Sequence, residues 1–331
     1  MKISILISFI TLFTIACSKE SNIKEQASSS SNIVVSADSP NTPINDLGKG
    51  IFNGYTGGLY PNGSNSPGGT YASDLLKVCR NIIPLDTFGN PSTNGNIEFI
   101  SLGWSIGGQN MKVLKQKTSG NPLTNPKLSL VDISIGSGYG RLNDILSPDD
   151  PFWNTVTEKL KRSNSSFRQV QIVYLDTEDS SQVIGFPVRP LLVKNDLESC
   201  FRTLQQKFPN IKLVYLVART TTYGKNHVHD FNAEPNPYYF GWAAKWAIED
   251  QINGVPGTEY KGTRKVSPMI TWGFYEWATS TPRIIDGFKW SEDLMNSDGL
   301  HPNDAGHDTL MTRFQNFLLN DRFAKHWYAK Q

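Results

Sequence analysis

The chain has 331 residues, of which 38% are hydrophobic and 19% charged, enough apolar material for a buried core. Its 32 Lys and Arg are interspersed with 30 Asp and Glu, for a formal net charge of +2, so no basic stripe points to a nucleic-acid partner. Its 3 cysteines show no spacing with histidine that resembles a zinc site.

In chain order, Met1-Lys2 is a short basic start. Residues 3–15 are an apolar run too short to cross a membrane. The run ends in Thr14-Ile15-Ala16-Cys17, which resembles a bacterial lipobox with Thr14 in the usual Leu position. That resemblance implies a lipoprotein signal peptide over residues 1–16, lipidation of Cys17, and an exported protein held to a membrane by its lipid alone. Residues 17–47 are rich in Ser, Asn, Asp and Pro and read as a flexible tether. Residues 48–331 read as one domain with long loops.

Within that domain, runs rich in Val, Ile, Leu and Tyr at 97–102, 128–136, 169–176, 211–218 and 267–275 suit buried strands of a mostly parallel sheet. Helical spacing of apolar residues predicts helices over 71–81, 152–163, 196–208, 241–253 and 305–319. The alternation predicts an α/β fold, a three-layer α/β/α sandwich, with functional loops at the carboxyl ends of the strands. Cys79 and Cys200 read either as a disulfide, which export would permit, or as two buried free thiols on helices.

The chemistry is signalled at two distant places. Gly103-Trp104-Ser105-Ile106-Gly107 follows the first long strand. A nucleophilic serine needs an exposed hydroxyl on a sharp turn leaving a strand, and flanking glycines permit that turn. Asn62-Gly63-Ser64-Asn65 is a rival, crowded with Pro and Asn and without a clear preceding strand, so it also reads as a surface or substrate-facing loop. Near the other end, Ser297-Asp298-Gly299-Leu300-His301-Pro302-Asn303 puts an Asp three positions before a His. One short loop can then present a carboxylate that orients an imidazole toward a nucleophile.

Ser105 after the first strand and Asp298-x-x-His301 in the last block together resemble the SGNH (GDSL-like) hydrolases. Gly103-Trp104-Ser105 looks like the Gly-x-Ser-Asn form of a divergent exported group, with Ile106 in place of Asn. The segments GGLYPNGSN, NAEPNPYYFGWAAKWAIEDQINGVPG, TWGFYEWA and DGLHP resemble the same group, so the likeness covers most of the chain after Gly48. It implies a serine esterase that needs no cofactor and hydrolyses an acyl ester on a carbohydrate or other polar molecule. The alternative is a non-catalytic ligand-binding lipoprotein on the same fold.

In that family a glycine N–H and an asparagine side chain stabilise the oxyanion. The glycine block matches Ile135-Gly136-Ser137-Gly138, which nominates Gly136. The asparagine block falls on Asp176-Thr177-Glu178-Asp179, where Asp179 replaces the expected donor. Asn143 is a stand-in whose other reading is helix capping. Ser64, Asp179, Arg219 and Glu234 are candidate substrate contacts, although Arg219 reads first as a structural ion-pair partner of Glu234 or Asp179. His227 and His229 read as loop residues, since no third metal ligand is signalled. The Trp and Tyr residues around 238–246 and 272–277 read either as a sugar-stacking platform or as core.

Overall fold

Every long strand among the described residues is parallel to its neighbours. The computed structural model describes residues 42–136, 140–179, 184–224 and 232–331. It begins with a short helix α1 (Ile44–Leu47), a two-residue hairpin of β1 (Ile51–Phe52) and β2 (Tyr55–Thr56), and α2 (Gly69–Arg80). The main body follows as β3 (Ile97–Gly103), α3 (Ser105–Thr118), β4 (Leu128–Asp132), α4 (Leu142–Ile145), α5 (Phe152–Arg162) and β5 (Val170–Asp176). It continues through α6 (Val188–Lys207), β6 (Leu213–Leu216), α7 (Asn236–Asn253), β7 (Met269–Trp272), α8 (Asp304–Asn320) and α9 (Lys325–Tyr328). The sheet order is β4-β3-β5-β6-β7.

Side chains alternate across the sheet with the two-residue period of a strand. Phe99, Ile172, Tyr174, Leu213 and Tyr215 face a core closed by α2, α3, α8 and α9. Ile100, Leu102, Val173, Leu175, Val214 and Leu216 face a second core closed by α1 and α4 to α7. Both faces are covered, which is why β5 is buried along its whole length. The fold is thus an α/β/α sandwich. Cys79 on α2 and Cys200 on α6 lie in different cores and are free, buried thiols, so the disulfide reading does not hold.

The connection after β3 runs through α3 on one face, whereas those after β4 and β5 run through α5 and α6 on the other. Such a reversal opens a crevice at the carboxyl end of the strands, here at the end of β3. The chain leaves β3 directly into Ser105.

Several boundaries differ from the sequence reading. The tether does not extend to residue 47, because Ile44 and Leu47, spaced one helical turn apart, are buried in the core. The strand read over 128–136 stops at Asp132, whose Oδ1 accepts the Ser134 N–H at 2.8 Å and turns the chain. Helix α3 was not foreseen. No helix among the described residues is long and apolar enough to cross a membrane.

Candidate active site

The turn that presents Ser105 is clamped to the end of β5. Gly103 has φ 140°, and a Cβ there would stand 1.9 Å from the Asp176 carbonyl oxygen, so only glycine fits. The Trp104 N–H donates to that same carbonyl at 3.1 Å. Helix α3 then begins at Ser105, which places the hydroxyl at the positive end of a helix whose first N–H groups have no intrahelical partner.

The Asp298–His301 loop is held from the β6 side. Gly299 has φ 67°, its carbonyl accepts the Tyr223 N–H at 2.8 Å, and a Cβ would meet the Gly224 nitrogen at 2.6 Å. Asn303 caps α8 by accepting the Gly306 N–H at 3.0 Å. These constraints fix where the imidazole leaves the loop.

The two distant segments meet. Ser105 Oγ lies 3.1 Å from His301 Nε2, and His301 Nδ1 lies 2.7 Å from Asp298 Oδ2. A carboxylate only accepts, so Nδ1 carries the imidazole proton and Nε2 is left to accept from the serine hydroxyl. The other carboxylate oxygen, Oδ1, accepts the N–H groups of Leu300 at 2.9 Å and His301 at 3.0 Å. Partial burial pushes the Asp298 pKa up, but these two N–H groups and the imidazole outweigh it and hold it below the ordinary Asp value. The carboxylate therefore stays charged at neutral pH. Gly136 lines the same cleft as Ser105.

His301 Nε2 thus faces the hydroxyl of Ser105, not that of Ser64. The Ser64 hydroxyl turns back on its own loop and donates to the Ser66 carbonyl at 2.7 Å. Of the other three residues read as substrate contacts, Asp179 and Arg219 are buried, which corrects that reading for both, and Glu234 is half-buried. Asp179 is fully buried, and its Oδ2 lies 2.8 Å from Arg189 Nη1, while Arg189 Nη2 donates to the Asp179 carbonyl at 2.7 Å. Its carboxylate is committed to a guanidinium that the sequence reading did not consider. Arg219 is buried, and its Nη2 donates to Asn232 Oδ1 at 3.4 Å. Its field acts on Asp176, Glu178 and Glu276. Glu234 is half-buried, and its Oε1 accepts from Trp277 Nε1 at 3.0 Å and the Thr222 N–H at 3.3 Å.

Tyr238, Trp242, Trp246, Trp272, Tyr275 and Trp277 are all buried against other rings, as with Tyr238 tilted on Trp277 at 4.7 Å and Trp242 stacked on Phe52 at 5.8 Å. They are core, not a sugar platform. Asn143 sits inside α4 and is exposed, one residue beyond the start of that helix. Cys17, Ser137, Gly138, His227 and His229 lie outside the described residues.

One network behind the site was missed. Asn110 Nδ2 donates to Tyr174 Oη at 3.0 Å, and Tyr174 donates to Glu276 Oε1 at 3.0 Å. Asn110 Oδ1 meets His307 Nδ1 at 2.7 Å, and His307 Nε2 lies 2.7 Å from the Gln109 carboxamide. Burial pushes His307 down to about 4, so the ring is neutral and has one N–H. With one N–H, the ring can donate to only one of the two amide oxygens that face it, Asn110 Oδ1 or Gln109 Oε1. This chain ties α3, which carries Ser105, to α8, which follows His301. Half of the signal was available: His307 is polar one turn before Leu310 on the helix read over 305–319, whereas Asn110 lies on α3.

Glu234 makes a pH prediction. Burial raises its pKa to about 7, against the opposing hydrogen bonds from Trp277, Thr222 and Tyr238. Its Oε2 makes no hydrogen bond among the described residues, which favours the uncharged acid. Because the folded state holds this proton more tightly than the unfolded chain, the stabilisation is complete below pH about 4.5 and is lost as pH rises through about 7. Burial also raises Glu178, to about 8, and adds in the same direction. Glu234→Gln should remove its share and gain on the order of 3 kcal/mol at pH 8 relative to its effect at pH 4. Urea titrations at the two pH values measure this, and an unchanged pH slope in the variant would contradict it.

Among the described residues, no group of three or more His, Cys, Asp or Glu is placed to hold a metal ion. In comparisons with known proteins, no family model and no curated protein matches the chain.

Proposed function

We propose that the protein is a serine esterase of the SGNH type, acting on an acyl ester of a carbohydrate or other polar molecule. The observation that carries this reading is the continuous relay of Ser105, His301 and Asp298, with contacts of 3.1 and 2.7 Å across 196 positions of sequence. Ser105 Oγ attacks the ester carbonyl carbon while His301 Nε2 takes the hydroxyl proton. The developing oxyanion is met by N–H groups at the start of α3 and by that of Gly136. His301 passes the proton to the departing alkoxide, leaving an acyl group on Ser105. Water, deprotonated by the same nitrogen, attacks the acyl carbon, and the proton returns to Ser105 Oγ as the carboxylic acid leaves. Asp298 holds the imidazole and stabilises its charged form throughout.

The test is hydrolysis of short-chain aryl esters by the purified protein. A folded protein inert to a range of esters would favour a ligand-binding lipoprotein instead. The same proposal includes a lipid on Cys17, supported by the Thr14-Ile15-Ala16-Cys17 tetrad after a short apolar run. Cys17→Ser should abolish metabolic labelling by palmitate and leave the precursor uncut. A wild-type protein that takes no label would refute the anchor.

A further inference from the structure

A cleft of about 530 Å³ opens beside Ser105, and its lining is cationic. Lys112 and Lys115 enter it from α3, Lys159 enters from α5, and Asp132 is the one carboxylate among the lining residues. Asp132 is already engaged: Oδ1 accepts from Ser101 Oγ at 2.9 Å and from the Ser134 N–H, while Oδ2 lies 3.6 Å from Lys159 Nζ. Lys159 also donates to the Ser134 carbonyl. That pair braces the strand end leading to Gly136. Lys112 and Lys115 remain, both exposed.

Their position follows from helical phase. Lys112, seven residues beyond Ser105, returns to about its face of α3, and Lys115 stands beside Lys112 one turn further on, at a rise of about 1.5 Å per residue. Side chains lean toward the start of a helix, so both stems point back toward the nucleophile. Two ammonium groups thus stand along the path that a substrate bound at Ser105 would take.

We propose that this cleft is an anion subsite, and that the ester cleaved at Ser105 carries an acid group, a carboxylate or another oxyanion, on the part of the molecule lying along α3. The inference rests on the esterase reading above. Lysine ammonium groups act as point charges, so the subsite selects charge rather than a particular oxyanion geometry.

The test compares two matched pairs of esters: 4-acetoxybenzoate against 4-acetoxybenzamide, and O-acetylated glucuronate against O-acetylated glucuronamide. At low ionic strength the wild type should favour the acid of at least one pair by roughly tenfold in kcat/KM. The preference should fall to about twofold or less in Lys112→Gln/Lys115→Gln, and should invert in Lys112→Glu. It should also shrink in 1 M salt, where the screening length is about 3 Å. Ser105-dependent cleavage of acids and amides at equal rates would overturn the subsite and leave the esterase standing. A preference that survives the double variant would also overturn it. A folded wild type that cleaves none of the four would overturn both.

Discussion

Ser105→Ala should lower kcat for ester hydrolysis by roughly 10⁴-fold or more while the fold persists. The serine lies at the first residue of α3, partly exposed, and its hydroxyl has His301 Nε2 as its partner at 3.1 Å. Removing it deletes the covalent route and little packing. His301→Ala should cost about as much, since an unassisted hydroxyl is a weak nucleophile near neutral pH. The double variant should be little worse than either single one, because the two groups act as a unit. Asp298→Ala should cost less, roughly one to two orders of magnitude less, because the carboxylate orients the ring and does not react. Steady-state kinetics on a short-chain aryl ester, with circular dichroism as the fold control, measure all four. Additive losses in the double variant would show that the residues do not form one device.

Arg189→Met should destabilise the fold by about 3–5 kcal/mol, the cost of removing one partner of a buried ion pair. The guanidinium is 1% exposed and lies against Asp179, which is fully buried, and within 3.5 Å of Glu178 Oε1. Removing Arg189 takes away the guanidinium that faces the buried Asp179 carboxylate, and burying a charged group without its partner is costly. Asp179→Asn in the Arg189→Met background should recover part of the loss, because the amide carries no net charge. Urea denaturation at pH 7 gives both numbers. A single variant within 1 kcal/mol of wild type would mean that the pair contributes nothing that solvent cannot supply.

The sheet was legible because its strands are buried on both faces and so read as unbroken runs of Val, Ile, Leu and Tyr. Ser105 and Asp298-x-x-His301 were legible for another reason: each needs glycine at a fixed place, Gly103 for the approach to Asp176 and Gly299 for the loop. Helix α3 was not legible. Gly107 and Gly108 in its first turn and lysines at 112, 115 and 117 mask the apolar side formed by Met111 and Leu114. Missing that helix also hid the lysines that share its Ser105 face. Helix α6 starts at Val188, earlier than read, because Pro190 suggests a break. In the first turn the missing N–H has no partner to lose. Asp179 was misread as a substrate contact because a charged residue just past a strand end reads as exposed, and only the structure supplies the Arg189 guanidinium that faces it in the core.

The central claim is that His301 and Asp298 make Ser105 a nucleophile. A fluorophosphonate probe tests it most directly, because it phosphonylates only a serine activated in this way, and mass spectrometry of the digested adduct names the residue. The wild type should be labelled on Ser105, Ser105→Ala should take no label, and His301→Ala should label far more slowly. A correctly folded wild type that takes no label, or an adduct on another serine such as Ser64, would contradict the account.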